Sequence, residues 1–307
     1  MKNDIRRRKD SGFALQILCL SLSALILMLS VVQTRRLKQD AQTIHTLRTQ
    51  IQTLTTENER LEAMETAAAS RTEAEGKTFA YQELYPEMRV DAVSEFVQQP
   101  EKTAYLTFDD GPSANTYRIL DALKESGQKA TFFIVAKNIP GHEDALKRMV
   151  NEGHTVAIHT YSHNYREIYD SVEAFLADFN QAYTAIYETC GVRPTLFRFP
   201  GGSVNAYNRE IYQPLIAEML RRGFVYYDWS VSSEDATGKE YSPGQLTEFV
   251  MEGTAGISRP VILMHDAGDK ASTASAVPGI IRRLTEAGYT CAPLTGEVRP
   301  VFFGYQS

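Results

Sequence analysis

Thr107-Phe108-Asp109-Asp110-Gly111 follows the apolar run Ala104-Tyr105-Leu106, so a strand-like segment ends abruptly in two adjacent carboxylates and a glycine. Successive side chains of a strand point to opposite faces, so Asp109 and Asp110 diverge unless the backbone bends. Gly111-Pro112 is the predicted bend, because glycine tolerates positive φ and proline cannot continue a ladder. Two carboxylates at the carboxyl end of a buried strand then reach one point with different geometries, one suited to a metal and the other to a proton. Taken by itself the stretch reads equally well as a polar turn. The other residues that join it decide between the two.

From Thr103 onward, short β-type runs alternate with helical patterns. Strands are predicted at Thr103–Phe108, Ala130–Val135, Thr155–Ile158, Leu196–Phe199, Val225–Trp229, Val261–Met264 and Tyr289–Pro293. Helices are predicted near Asn115–Glu125, Glu143–Glu152, Ser171–Glu188, Asn208–Arg222, Pro243–Glu252 and Ser275–Glu286, with Gly127, Gly153, Gly191, Gly223 and Gly288 punctuating their ends. Such repetition implies parallel strands joined by right-handed crossovers. About seven strands in this length favour an α/β barrel or near-barrel over an open sheet.

Polar residues recur at the strand ends: Asp109 and Asp110, His159 and His163, Arg198 with Pro200-Gly201-Gly202, Asp228-Trp229, and His265-Asp266. A barrel uses that face for chemistry. His159-Thr160-Tyr161-Ser162-His163 places two imidazoles four residues apart, a spacing that brings both to one face of a helical turn. With Asp110 they form a two-histidine, one-carboxylate set suited to Zn²⁺ or another first-row divalent ion such as Co²⁺. His45, His142 and His154 read as structural or solvated, and Asp266 and Asp269 as solvated.

The segment before the barrel has its own logic. Phe13 to Val32 carries no charged residue, and at about 1.5 Å per residue it matches the roughly 30 Å of a bilayer core. A signal peptide competes, since Arg6-Arg7-Arg8-Lys9 precedes it, but no small-residue cleavage site is evident. A retained anchor at residues 13–33 is therefore expected, after a basic cytoplasmic tail at 1–12. Leu37, Ile44, Ile51 and Asn58 repeat every seven residues, as do Leu47, Leu54 and Leu61. This predicts a stalk at 34–65, as a two-stranded parallel coiled coil and hence a homodimer, or as a single amphipathic helix. Residues 66–78 read as a linker and 79–307 as the globular domain. The 43% hydrophobic content fits a real core, and the net charge of −6 speaks against a nucleic-acid partner. Of three cysteines, Cys190 and Cys291 fall in the globular part, as inert core thiols or as a disulfide; no CxxC pair points to a thiolate metal site.

Thr107-Phe108-Asp109-Asp110-Gly111, His159-Thr160-Tyr161-Ser162-His163, Arg198-Phe199-Pro200, Asp228-Trp229 and Leu263-Met264-His265 resemble, in order, the five motifs of the polysaccharide deacetylase (NodB-like) family. The resemblance runs from about Lys102 to Thr290. It implies a distorted, incomplete α/β barrel of about seven parallel strands, and removal of acetyl groups from N-acetylated sugars of peptidoglycan, chitin or related polymers. It further implies Asp110, His159 and His163 as metal ligands, Asp109 as the base for the attacking water and His265 as the acid for the leaving amine. Arg198 would lower the pKa of Asp109, Asp228 would orient His265, a backbone N–H at Pro200-Gly201 would face the oxyanion, and Trp229 would wall the acetyl pocket. Two departures stand out. Many members carry Tyr after the motif-three proline, where this chain has Gly201-Gly202-Ser203, which implies a wider groove. The fourth motif often opens with another Asp, and Val225-Tyr226-Tyr227 stands there instead. The expected protein is a membrane-anchored, outward-facing bacterial deacetylase acting on cell-wall polysaccharide. An O-acetyl-xylan esterase and a non-catalytic wall-binding scaffold are the alternatives.

Overall fold

Strand β1, Thr103–Asp109, is buried at every position, as a strand covered on both faces must be. In the computed structural model, which describes residues 78–91 and 95–304 together with Met28 and Gln33, β1 is the centre of an all-parallel sheet. The others are β2 (Thr131–Ile134), β3 (Thr155–Ile158), β4 (Leu196–Phe197), β5 (Val225–Tyr226), β6 (Val231–Ser232), β7 (Val261–His265) and β8 (Thr290–Cys291). Their order is β5-β4-β3-β2-β1-β7-β6, with β8 paired to the first residues of β1. The edges β5 and β6 do not pair, so the barrel stays open, as the sequence implied.

Two strand expectations need correction. The run Val225–Trp229 stops at Tyr226, because Asp228 is drawn into bonds with Ser203 and Phe303. The strand β6 follows it and was not foreseen. Its ladder to β7 (Val231↔Ile262, Ser232↔Leu263) is only two residues long, and Ser232-Ser233 carries no β signal. Among helices, the one expected at Asn208 begins at Tyr212, since the Asn208 side chain is spent on Ser203 O and Asn205 N. The last begins at Ala271. Ser113, Ser171 and Ser242 cap the helices Ala114–Ser126, Val172–Cys190 and Pro243–Thr254.

Alternation along the strands makes two apolar layers. Ala104, Leu106, Phe108, Phe132, Ile134, Ile158 and Met264 pack outward against the helices. Tyr105, Phe133, Ala157, Leu196, Val225 and Val261 form a smaller cluster that, by the two-residue period, lies on the opposite, concave face. Asp109, His159, Arg198 and His265 share the parity of that second set, so the polar residues are its continuation at the carboxyl ends.

The compact unit spans Phe79–Ser307. Arg222, fully buried, holds its leading segment: Nη1 and Nη2 donate to the carbonyls of Tyr81, Leu84, Tyr85 and Met88, while Nε pairs with Glu218 at 2.7 Å. Cys190 and Cys291 are free thiols. The basic tail 1–12, anchor 13–33, stalk 34–65 and linker 66–78 lie outside the described residues, apart from Met28, Gln33 and Thr78. Among the described residues no helix is long and apolar enough to cross a membrane.

Candidate active site

Asp110 takes the left-handed conformation at φ 75°, and the bend continues through the cis Gly111–Pro112 peptide without a positive φ at Gly111. Glycine is needed at 111 for space: a Cβ there would stand 2.1 Å from Asp266 Oδ2. Asp266 is therefore not solvated, as expected from its polar neighbours, but fully buried. Thr116 Oγ1 donates to its carboxylate, and burial pushes its pKa up to about 7. Asn138 Nδ2 holds the Asp110 carbonyl at 2.9 Å.

His159 to His163 is a loop, not the helical turn the spacing suggested. Thr160 (φ 75°) and His163 (φ 54°) both adopt the left-handed region, at a cost of about 1–2 kcal/mol each. The surroundings enforce it. The Asp178 carboxylate accepts the N–H groups of Tyr161 and Ser162, Lys137 Nζ donates to Ser162 O, and His163 N donates to Thr160 Oγ1. The result brings both imidazoles to Asp110, whose Oδ1 is 3.1 Å from His163 Nε2 and 3.6 Å from His159 Nε2. His159 Nδ1 lies 2.9 Å from Arg198 O, a bond that requires Nδ1–H and leaves the Nε2 lone pair facing Asp110. Burial, with His163 beside it, pushes the His159 pKa down to about 3, so the ring is neutral. Asp110 Oδ1 is buried and accepts no hydrogen bond. The ring nitrogens of His159 and His163 and an unsatisfied carboxylate oxygen, gathered at one point, fit a divalent cation.

Asp109 and His265 are register partners on β1 and β7. Arg198, 0% exposed, crosses to Asp109 Oδ1 at 2.8 Å and also donates to Thr107 Oγ1, Tyr227 O and Asp228 O. Its guanidinium lies 4.2 Å from the Phe133 ring centre. The expected lowering of the Asp109 pKa does not result: burial raises it and outweighs Arg198. A carboxylate whose pKa is raised binds a proton more readily.

Asp228 does not orient His265. Its carboxylate accepts from Ser203 N, Ser203 Oγ and Phe303 N, stapling the motif-three turn to the C-terminal segment. Asp235, which the sequence reading missed, has that place. Its Oδ1 lies 2.7 Å from His265 Nδ1 and its Oδ2 accepts His265 N–H and Thr273 Oγ1–H. Burial opposes protonation of His265, but the bond and charge of Asp235 prevail and raise its pKa to about 9. Asp235 follows β6, the one strand absent from the sequence reading, so Ser232-Ser233-Glu234-Asp235 looked like plain polar loop. Trp229 packs edge-on against Phe303, and the Gly201 N–H makes no hydrogen bond among the described residues.

The peptidoglycan-N-acetylglucosamine deacetylase of Bacillus cereus is 34% identical over 207 residues, covering 66% of this chain and 73% of that protein. The chain belongs to the polysaccharide deacetylase family. Residues 96–219 match the family model described as polysaccharide deacetylase. The catalytic domain of the Eubacterium rectale peptidoglycan N-acetylglucosamine deacetylase superposes with a TM-score of 0.67 at 36% identity, over 70% of this deacetylase and 99% of that domain. The Bacillus subtilis peptidoglycan-N-acetylmuramic acid deacetylase is 35% identical over 196 residues, 64% of this chain and 38% of its own. Family membership makes this chain an enzyme, a polysaccharide N-deacetylase of carbohydrate esterase family 4.

Proposed function

We propose that the enzyme hydrolyses the N-acetyl group of amino sugars in a cell-wall polysaccharide such as peptidoglycan, with Asp109 as base and His265 as acid. One observation carries this reading: a buried carboxylate and a histidine protonated at neutral pH stand on adjacent strand ends beside the Asp110, His159 and His163 set. Those three residues would hold a divalent metal, for which two imidazoles and a carboxylate favour zinc, with cobalt an alternative. When bound, such an ion polarises the acetyl carbonyl and makes water more acidic. Asp109, oriented by Arg198, takes the proton of the attacking water. The open N–H of Gly201 stabilises the developing oxyanion. His265, kept charged by Asp235, protonates the departing amine, which leaves poorly as an anion. An O-acetyl ester needs less acid help than an amide, so the charged His265 supports the amide reading.

The test is acetate release by the full-length chain, loaded with Zn²⁺ or Co²⁺, from N-acetylglucosamine oligomers and from peptidoglycan. Acetate from both, lost in Asp109→Asn, is the expected result; none from either with metal bound refutes the reading. We also propose that residues 13–33 anchor the chain in a bacterial membrane with its catalytic domain outside, and that residues 34–65 pair two copies. The charge-free run and the heptads support this. Membrane fractionation and cross-linking through a cysteine placed at Asn58 test the two parts.

A further inference from the structure

We propose that Tyr165 and Tyr207 form the platform on which a sugar ring of the substrate stacks, with Tyr165 supplying the aromatic wall that the sequence lacks at position 201. The inference rests on the deacetylase reading above and names how its polymer is held.

Gly201 follows the motif-three proline at φ 76°. A Cβ added there would stand 2.8 Å from Tyr165 Cε1 and 3.3 Å from Tyr165 Oη. The space a side chain at 201 would take is therefore occupied by a ring from another segment. Tyr165 meets the His163 ring edge-on at 5.2 Å between centroids and an interplanar angle of 89°. It thus stands between the candidate metal site and the Gly201 turn. Behind it lies buried Tyr169, 6.1 Å away and edge-on, whose hydroxyl donates to Pro200 O at 2.8 Å. In front lies Tyr207, 5.1 Å from Tyr165 and 55% exposed. The three rings run from the core to the surface.

The backbone that carries the outermost ring is tied down. Asn205 Oδ1 accepts the N–H groups of Tyr207 and Asn208, and Asn205 Nδ2 donates to the carbonyls of Pro200 and Gly202. An exposed tyrosine on a turn so tied shows solvent an apolar face with a polar tip, beside the site. Pyranose rings present a face of C–H groups and a rim of hydroxyls, which match such a ring.

The full-length enzyme is assayed on a chitin-type N-acetylglucosamine tetramer and on 4-nitrophenyl acetate, which carries no sugar. In Tyr207→Ala and Tyr165→Ala the ratio of kcat/KM on the tetramer to that on the aryl ester should fall roughly tenfold, through KM, and Tyr165→Phe should restore most of it. A structural defect would lower both activities together. An unchanged ratio in Tyr207→Ala, whose exposed ring is not needed for folding, overturns the proposal. Calorimetric Kd values for the tetramer separate this outcome from failure of the parent reading. A wild-type chain that binds the tetramer but releases acetate neither from it nor from peptidoglycan refutes the deacetylase assignment, and the Tyr207→Ala Kd still decides the platform. A wild-type chain that does not bind the tetramer refutes the platform, while acetate release from peptidoglycan still decides the deacetylase assignment.

Discussion

Replacing Asp235 by Asn should move the alkaline limb of the pH–rate profile, because it removes a charge while keeping an oxygen for His265 Nδ1–H. The His265 pKa stands at about 9 because the Asp235 bond and charge, with smaller help from the charges of Asp109 and Asp110, outweigh burial. Without the Asp235 charge, burial is opposed only by the smaller contributions of Asp109 and Asp110, so the pKa falls towards its ordinary value of about 6.5. At pH 7.5 a pKa of about 9 leaves about 97% of the ring protonated, whereas one of about 6.5 leaves about 9%. The expected loss of kcat/KM at pH 7.5 is thus roughly tenfold, shrinking towards pH 6. The folded chain holds this proton more tightly than the unfolded one, so the linked stability is fully present below about pH 6.5. It disappears as pH rises through about 9 and is on the order of 3 kcal/mol. Melting temperature measured across that range should slope downward in the wild type and flatten in Asp235→Asn. An alkaline limb that stays at its wild-type position in Asp235→Asn, or moves instead in Asp228→Asn, refutes the assignment.

Asp110→Ala should abolish stoichiometric metal binding, whereas Asp109→Ala should retain the metal and lose turnover; metal analysis beside rate measurement distinguishes them. Gly111→Ala pushes a methyl to within 2.1 Å of Asp266 Oδ2, a buried and hydrogen-bonded group that has nowhere to go. It should cost about 1–3 kcal/mol in urea unfolding, and the double variant Gly111→Ala/Asp266→Ala should lose less than the sum of the singles. Glu218→Ala strands the buried Arg222 guanidinium and should cost about 3–5 kcal/mol by the same measurement. A loss within 0.5 kcal/mol of zero, roughly the size of an ordinary surface change, would mean the pair does not hold residues 81–88.

The two-residue and helical periods are local properties of the chain, which is why the strands around Asp109, His159 and His265 were legible and the parallel sheet followed from them. Parity also carried over: residues alternating with Tyr105, Phe133 and Val261 had to emerge on one face. What local pattern could not convey was direction at the loops. His159 and His163 converge because Asp178, far along the chain, accepts two N–H groups of the intervening turn. Asp235 was invisible because β6 is a two-residue ladder that exists only where β7 offers it a partner.

The opening pair of carboxylates shows the division. Sequence alone determined that a buried apolar run ends in Asp109-Asp110 and that imidazoles, an arginine and a histidine end the neighbouring strands, since hydrophobic period and residue chemistry are written residue by residue. Tertiary structure decided that Asp110 takes a positive φ, that Gly111 yields its space to Asp266, and that Asp235 rather than Asp228 serves His265. It also decided that Tyr165 stands where a side chain at 201 would be. Each of these depends on which distant groups compete for one volume or one hydrogen bond, and such competition arises only when the chain has folded.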